Sequence, residues 1–507
     1  MKKDGNTERI LTLFNAVGDI GDDLISGAAE HIIKENRTPR KKKKLKLTAI
    51  TAAALAAVVL FALIAAPGVS GPADAVAAAI YEAEYPDRAE HPDLLADSAD
   101  GESRNGYSPA IPTNYEEWKN EYNVWEEEFQ KNKISDEERT ILSRYFRKTA
   151  QVLLSGTSGK NALYSPVNTY FALAMLAETA GGKSRSQILG LLGSGNINSL
   201  RDTVGNIWQS AYNSVCRPAN SIWLESGTNY KDKTFKTLAE KYYASSFRGH
   251  MGSDEYNGLL RDWLNVQTNG ILRDSVSKIG LSKDTVMAIA STLYLKVNWH
   301  EQFSKNDTVK DVFHAPGGDA EVDFMRQKYW GYYYSGKHFS AVQRNFVDGI
   351  GSMWLILPNE DSSIEEVIAD GDYTDMIDLY HSSYRGYTDS CESLTIRISL
   401  PKFDITSEND LCDHMPELGI SKILDPSEAN FSPIANKSEG LFLSKAEHDV
   451  RVRIDEEGLE AAAVTVLPTD TGAPPRKEID FNLNRPFIFV ITSSDGIPLF
   501  AGAVNEP

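Results

Sequence analysis

The pattern of apolar and polar positions changes twice along the chain. Leu47–Ala66 is an uncharged apolar run, which is long enough to cross a bilayer as a helix. Residues 67–133 are rich in Pro, Asp, Glu and Ala and predict an exposed stalk, with one charged, aromatic helix near residues 114–131. From residue 134 onward apolar positions recur with helix or strand periodicity, which predicts one globular domain over 134–507.

Within 134–507, helical patterns come first and strand patterns dominate the second half. Ser135 and Glu138 have the spacing of a capping box at the start of one helix, and Asn168–Ala180 predicts another. Alternating or continuous apolar runs predict strands at 219–225, 285–299, 351–358, 392–403, 485–494 and 497–504. Because strands and helices do not alternate regularly, the pattern indicates an α+β fold on a large, mainly antiparallel sheet.

Charge and the apolar run together suggest where the chain lies. The net charge of −19 argues against a nucleic-acid partner, since phosphate binding needs clustered Lys and Arg. The basic run Arg37–Lys46 directly precedes Leu47–Ala66, which favours a cytoplasmic segment 1–46, a single transmembrane anchor and an extracellular domain. The alternative is a secreted protein, because small residues at Ala73–Ala75 could form a signal cleavage site. The long lead before the apolar run favours the retained anchor.

Candidate chemistry does not indicate an enzyme. Gly182, Lys183 and Ser184 resemble the end of a phosphate-binding loop, but Ala177 stands where that motif needs glycine and a helical pattern precedes it. The three cysteines, Cys216, Cys391 and Cys412, have no metal-binding spacing, so we expect no cofactor and no metal site. They are interpreted as isolated buried thiols, and one disulfide remains an alternative in an oxidising compartment.

An unusual stretch lies between Leu443 and Phe481, which contains no aromatic residue. Ala461–Leu467 is a good strand sequence, yet it continues into Pro468, Gly472 and the pair Pro474–Pro475. A strand former thus lies inside what its prolines predict to be an exposed loop.

Four segments in order resemble the serpin family of serine protease inhibitors. Ala162–Gly193 resembles the stretch around its second helix, and Thr292–Ala315 resembles the strand that carries its sheet-opening Trp. Ser444–Val466 resembles the strand and hinge that lead into the reactive loop, and Arg485–Pro507 resembles the closing strands. The resemblance covers about 134–507 and implies three sheets and about nine helices, in a membrane-anchored bacterial member of the family.

The resemblance implies that the loop, about 456–476, is cleaved by a target protease and then inserts into the main sheet. The implied hinge comprises Glu457, Gly458, Leu459, Glu460, Ala461, Ala462, Ala463, Val464 and Thr465. As a strand, Leu459, Ala461, Ala463, Thr465, Leu467 and Thr469 would share one uncharged face that can enter a core. Leu459 stands where inhibitory members usually have Thr, and Pro468 would remove one hydrogen bond near the end of the strand.

Two further sets of residues follow from the resemblance. Counting from the hinge glycine gives Gly472–Ala473 as the reactive bond, whose small side chains fit an elastase-like protease. Counting back from the closing strands leaves a position near Arg476 as the alternative, which would imply a trypsin-like target. The implied sheet gate comprises Trp299, which caps the sheet opening, and His448, with Ser291 at the family's Asn position and Ser165 and Asn168 completing the network.

The sequence therefore predicts a monomeric, membrane-anchored suicide inhibitor that forms a covalent acyl complex with a serine protease. One alternative is a non-inhibitory protein of the same fold, whose loop is only cleaved. The other is a surface interaction module presented by the stalk. The hinge favours the inhibitor, because a binding module has no need of a strand sequence inside a loop.

Overall fold

A computed structural model of the chain describes residues 56–65, 78–88, 115–156, 159–213, 215–347, 350–382, 391–436, 438–459 and 477–507. Ten α-helices lie in these ranges, most of them in the first half of the domain. They are α1 Tyr115–Asn132, α2 Asp136–Leu153, α3 Pro166–Thr179, α4 Gly182–Leu191, α5 Ile197–Ala211, α6 Asp232–Tyr242, α7 Asp254–Gln267, α8 Arg273–Lys278, α9 Ile364–Asp370 and α10 Asp372–His381.

The strands of the described ranges form three sheets, so the α+β prediction with three sheets is confirmed. The strands are β1 Ala56–Ala65, β2 Ala78–Tyr81, β3 Ala162–Tyr164, β4 Cys216–Glu225, β5 Ala244–Gly249, β6 Thr285–Leu295, β7 Val297–Asn298, β8 Val309–Ala315, β9 Gly318–Ser335, β10 Phe339–Asn345, β11 Gly351–Pro358, β12 Cys391–Pro401, β13 Phe403–Asp410, β14 Phe442–Ile454, β15 Gly458–Leu459, β16 Glu478–Asn482, β17 Phe487–Ser493 and β18 Pro498–Val504.

The main sheet has seven strands in the order β13-β14-β1-β6-β4-β5-β2. Its strand β6 is buried at every position, because both faces of the sheet are covered. Leu293 and Leu295 belong to the principal core, whereas Ala288 and Ala290 belong to a second core that is formed with α7 and α8. The alternation of large and small apolar residues along β6 thus follows the two faces of a doubly covered strand.

A nine-stranded sheet carries the second half of the domain, in the order β16-β12-β9-β10-β11-β17-β18-β3, with β8 paired to β9. The two-stranded sheet joins β15 to β7. Helix α3, buried at every position, packs between the main sheet and β18. The largely apolar sequence of α3 is therefore that of a core helix enclosed by sheets.

The predicted start of α2 is confirmed by its capping. The Ser135 hydroxyl accepts a hydrogen bond from the Glu138 N–H at 3.2 Å, and the Glu138 carboxylate accepts one from the Ser135 N–H at 2.8 Å. This reciprocal pair satisfies two N–H groups that a helix end leaves without intrahelical partners. The helix therefore begins where the sequence signal places it.

The helix predicted over Leu47–Ala66 differs from the structure, in which Ala56–Ala65 forms strand β1. No helix in the described ranges is long and apolar enough to cross a bilayer. The physical reason for the difference is that an apolar segment can satisfy its backbone groups either within a helix or by pairing on both sides. Val58, Val59 and Ile64 are β-branched and favour a strand.

The described parts of the predicted stalk lie against the domain. Strand β2 pairs with β5 at the edge of the main sheet, and the Tyr85 ring stacks on Trp208 with centroids 5.4 Å apart. The Arg88 guanidinium donates to the Glu128 carboxylate of α1 at 3.0 Å and to the Gln209 carbonyl of α5 at 2.8 Å. Residues 78–88 and α1 are thus held to the domain surface by packing and charge.

All three cysteines are free thiols. Cys216 is buried and Cys391 and Cys412 are half-buried, and burial raises the pKa of Cys216 to about 12. The interpretation of isolated buried thiols therefore holds for Cys216, whereas Cys391 and Cys412 are free but only half-buried, and no disulfide is present in this structure.

Candidate functional site

The hinge begins in a tight turn at the end of β14. Asp455 and Gly458 face each other across this turn, with the Gly458 N–H donating to the Asp455 carbonyl at 3.3 Å. After the turn β15 pairs antiparallel with β7, with Gly458 opposite Asn298 and Leu459 opposite Val297. The chain therefore reverses direction at the point where β14 leaves the main sheet.

Gly458 is required by the geometry of this turn. Its φ is +118°, a conformation that L side chains rarely adopt. A Cβ at this position would lie 2.6 Å from the Trp299 backbone nitrogen and 2.8 Å from the Asn298 Cα. Only glycine allows the hinge to approach β7 this closely.

The two glutamates of the turn are held by lysines from neighbouring segments. The buried Glu456 carboxylate forms an ion pair with Lys402 at 3.0 Å and accepts a hydrogen bond from the Thr308 hydroxyl at 2.8 Å. Glu457 forms an ion pair with Lys305. These contacts hold the start of the hinge in place at the end of β14, where the chain leaves the main sheet.

Trp299 lies under the turn and is almost fully buried. Its indole Nε1–H donates to the Asp455 carbonyl at 3.0 Å, and its backbone N–H donates to the Glu457 carbonyl at 3.2 Å. The ring stacks on Phe346 with centroids 5.1 Å apart. The structure thus places the predicted capping Trp in direct contact with the start of the hinge.

Sequence reasoning missed Arg344, which supports this region from below. Arg344 is buried on β10, its guanidinium lies 4.4 Å from the centroid of Tyr329 and 5.0 Å from that of Phe303, and it donates to the Glu301 carbonyl at 2.6 Å. Burial lowers the pKa of its guanidinium. A buried cation stacked on aromatic rings has no local sequence signal, because its partners come from distant segments.

Below the hinge, β1 lies between β14 and β6 and pairs antiparallel with both. Ala56 is opposite Leu295 at the upper end, and Leu60 is opposite both Ser291 and His448 near the middle. Each flanking strand therefore has its hydrogen-bonding edge satisfied by β1. We call the space between β6 and β14 the central gap of the main sheet.

The pairing of β15 with β7 indicates how the hinge would enter the central gap. Continued without interruption along β6, it would put Ala461 opposite Leu295 and Ala463 opposite Leu293, whose side chains lie in the principal core. Directly opposite residues of antiparallel strands share a face, so both alanines would face that core. Ala461 would take the position that Ala56 has in β1.

The structure brings the predicted gate residues together at the middle of the central gap. The Ser165 N–H, at the N-cap of α3, donates to Nε2 of the buried His448 at 3.0 Å. The Asn168 side-chain amide donates to the Ser291 carbonyl at 3.1 Å. Burial lowers the pKa of His448 to about 3, so the imidazole is neutral at neutral pH and carries its proton on Nδ1.

A further gate residue, Asn220 on β4, was not predicted. Its side-chain oxygen accepts a hydrogen bond from the Ser291 hydroxyl at 2.7 Å, and its amide donates to the Tyr242 carbonyl at 2.8 Å. The amide that the family resemblance places on β6 is therefore supplied by the neighbouring strand. A lone Asn inside the apolar run 219–225 was the available signal, because a buried amide needs partners.

The remaining predicted site residues lie outside the described ranges. These are the hinge residues after Leu459, namely Glu460, Ala461, Ala462, Ala463, Val464 and Thr465, and the reactive-bond candidates Gly472, Ala473 and Arg476. Their roles stay predictions. The chain is described again from Lys477, where it enters β16.

Comparison with known families agrees with this arrangement. A sequence model of the family described as "Serpin (serine protease inhibitor)" matches residues 144–507. The chain belongs to the serpin family. The serpin is 28% identical over 364 residues to an uncharacterized serpin-like protein of Thermococcus kodakarensis, covering 69% of this chain and 82% of that protein. It is 27% identical to serine proteinase inhibitor A3K of Cavia porcellus, covering 72% of this chain and 88% of that protein.

Solved structures share the fold. The native state of the thermophilic serpin tengpin aligns with a TM-score of 0.64 at 23% identity, covering 74% of this serpin and 95% of tengpin. Human thyroxine-binding globulin, solved in complex with its ligand, aligns with a TM-score of 0.62 at 20% identity, covering 73% and 98%. At these identities the likeness concerns the fold alone.

The buried His448 predicts a measurable pH dependence of stability. Its pKa of about 3 in the fold lies below the ordinary value of about 6.5, so the unfolded chain binds the proton more tightly. The free energy of unfolding should therefore fall as pH drops from about 6.5 towards 3, by up to about 1.4 kcal/mol per pH unit from this group. We expect denaturant titrations of His448→Gln to lack this component.

Other groups also titrate in this pH range, so the contribution of His448 is obtained by comparing the wild type with His448→Gln. The pKa of Asp449 is raised to about 7, first by burial and then by Glu447, and it shifts stability in the opposite direction. The measured quantity is thus the difference between wild type and variant at each pH. The difference in the free energy of unfolding between wild type and variant should not change with pH above pH 7. A difference that also stays constant from pH 7 to 4 would contradict the prediction.

Proposed function

We propose that this serpin inhibits serine proteases as a suicide substrate, by inserting its cleaved reactive loop into the central gap. The observation that carries the proposal is the register of β15 on β7, which, if continued along β6, would direct Ala461 and Ala463 towards the principal core. The family description as serine protease inhibitors supports the same function. The hinge begins paired with β7, which follows β6 in the chain, and continues into a sequence that would have one uncharged face as a strand.

Insertion would release enough free energy to trap a protease. Each added backbone hydrogen bond contributes roughly 1 kcal/mol net, so a strand of about ten residues that is paired on both sides would release on the order of 10 kcal/mol or more. That is similar to the stability of an entire domain. A protease that is still acylated on the loop when insertion occurs would be carried along and distorted.

The central gap accepts one strand, and β1 fills it in this structure. Loop insertion therefore requires β1 to leave the sheet. We propose that Leu47–Ala66 crosses the bilayer as a helix in the membrane-anchored protein, with the serpin domain outside the cell. In that state the segment satisfies its backbone groups internally and the gap is open for the loop.

Small residues around the proposed bond Gly472–Ala473 support an elastase-like target, with a position near Arg476 as the trypsin-like alternative.

A second candidate function is a non-inhibitory serpin, and one observation favours it. The gap is occupied by β1, and a chain that keeps β1 there would be cleaved without trapping the protease. The first experiment separates these two functions.

When the membrane-anchored protein is mixed with pancreatic elastase, a covalent complex should form that survives denaturant. The reason is that the protease is trapped as an ester of its catalytic serine on the loop. Denaturing gel electrophoresis and mass spectrometry would detect the complex and locate the cleaved bond. Recovery of only cleaved serpin and fully active elastase would support the non-inhibitory candidate instead.

Two neighbouring alanines test the insertion register. Ala463→Glu should place a carboxylate in the principal core opposite Leu293, where it has a large burial cost. Insertion should slow while hydrolysis of the acyl-enzyme continues, so that this variant is cleaved normally but traps little protease. The measurement is the number of protease molecules inactivated per serpin molecule cleaved.

Ala462→Glu is the matched control, because strand alternation puts it on the opposite face, opposite Tyr294. This variant should still trap most of the protease. Identical trapping ratios for the two variants would contradict the register.

The competition between β1 and the loop predicts a difference between three preparations. Full-length protein in vesicles and a chain that begins at residue 67 should trap protease equally well, since the gap is open in both. Full-length protein kept free of membrane should trap less, because β1 fills the gap. Trapping yields are measured as in the alanine experiment.

Fractionation supplies the control for this experiment. The full-length protein should sediment with membranes, and the shortened chain should remain in the supernatant. Equal trapping in all three preparations would contradict the competition, and full-length protein absent from the membrane fraction would contradict the anchor.

A further inference from the structure

An exposed aromatic pair lies on the nine-stranded sheet near the end of the reactive loop. Trp330 on β9 is 57% exposed, the largest aromatic side chain to be so exposed in the described ranges. Its ring centroid lies 6.1 Å from that of the half-buried Tyr332 on the same strand. An exposed indole beside a second, half-buried ring costs solubility, which makes this face a candidate contact surface.

Strand pairing connects this pair directly to the loop. Trp330 is opposite Thr395 of β12, and the Thr395 N–H donates to the Lys477 carbonyl at 3.1 Å. Lys477 is the first described residue after the loop. Two strand spacings, roughly 10 Å, therefore separate Trp330 from the point where the reactive loop joins the sheet.

The rim of this face is polar and its charges are paired. Lys328 of β9 and Arg397 of β12 each form an ion pair with Glu478 of β16 at 2.7 Å. Arg397 also pairs with Asp480 at 2.6 Å. An aromatic centre with a polar, charge-balanced rim is the usual anatomy of a protein contact surface.

The length of the loop decides what covers this face during the reaction. Gly472 precedes Lys477 by five residues, so the proposed reactive bond lies at most about 18 Å from the start of β16. A protease domain of about 240 residues has a radius of gyration of about 18 Å. A protease docked on that bond therefore reaches the face that carries Trp330.

We propose that Trp330 and Tyr332 form a secondary docking surface for the target protease, beside the reactive loop. This inference rests on the part of the proposed function in which a protease docks on the loop. It does not depend on loop insertion or on the position of β1, because docking precedes both. The surface would strengthen the encounter and select among proteases that accept the same loop sequence.

The test measures docking without chemistry. The probe is pancreatic elastase whose catalytic serine is replaced by alanine, so that it binds the loop but forms no acyl bond. Trp330→Ala in the full chain should raise the dissociation constant by about tenfold or more, as expected for a buried interface Trp. Trp330→Phe should recover part of the loss.

Val266→Ala is the control, since Val266 is similarly exposed, at 61%, and lies on α7, away from the nine-stranded sheet. It should change the dissociation constant less than twofold. All variants should keep the wild-type thermal midpoint, which excludes misfolding as the cause.

Unchanged binding by Trp330→Ala, or no binding by the wild type, would overturn the proposal. It would also be overturned if Trp330→Ala changed only the sedimentation of the serpin, because the face would then join two copies of this chain. Failure of the proposed function has a different signature. In that case inactive elastase would bind in a Trp330-dependent way, yet active elastase would form no covalent complex.

Discussion

The central gap between β6 and β14 is the constraint on which the rest of this structure depends. Both flanking strands present backbone donors and acceptors that need partners, because an unpaired buried group is costly. One strand lies between them in this structure, and in the proposed function the reactive loop is a second segment that can take its place. β1 pairs with both edges in this structure, while the hinge is held at the upper end of the gap by Trp299 and β7.

The residues around the end of β14 hold the start of the hinge in place beside the central gap. Gly458 permits the sharp reversal that turns the chain back toward the gap, and the ion pairs of Glu456 and Glu457 fix the base of that turn. The buried Arg344 keeps the aromatic cluster under the turn in place. In the proposed mechanism, the loop would have to reach a defined register within the lifetime of an acyl-enzyme, and a start that is already positioned would make this faster.

The parts of the fold and of the site that depend on short-range sequence patterns could be predicted from the sequence. The capping box at Ser135 and the alternating strands needed only short-range patterns, and the positions of Trp299 and His448 followed from the family resemblance. The failures involve long-range partners. An apolar run does not distinguish a helix from a strand that is paired on both sides, so Leu47–Ala66 was predicted as a helix. Asn220 and Arg344 were missed because their partners lie on other segments.

One feature of the gate residues supports the proposed replacement of β1 by the loop. The Ser165 N–H donates to Nε2 of His448, so the proton is on Nδ1, which has no hydrogen-bond partner among the described residues. An unsatisfied buried donor costs about 1–3 kcal/mol. Leu60 stands opposite His448 in β1, and leucine has no acceptor in its side chain.

If the pairing of Gly458 and Leu459 with β7 continued along β6 in the proposed insertion, Thr465 would take the position of Leu60, opposite Ser291. Its hydroxyl can accept the hydrogen bond from Nδ1 of His448, and its methyl group can pack in the core. In the proposed insertion, replacing β1 by the loop would therefore exchange an unsatisfied donor for a satisfied one at the centre of the sheet. The apolar segment would lose little by this exchange if a bilayer accepted it as a helix, in which its backbone groups are paired internally. The cleaved loop, with its prolines and charged ends, would have no comparable alternative to the gap.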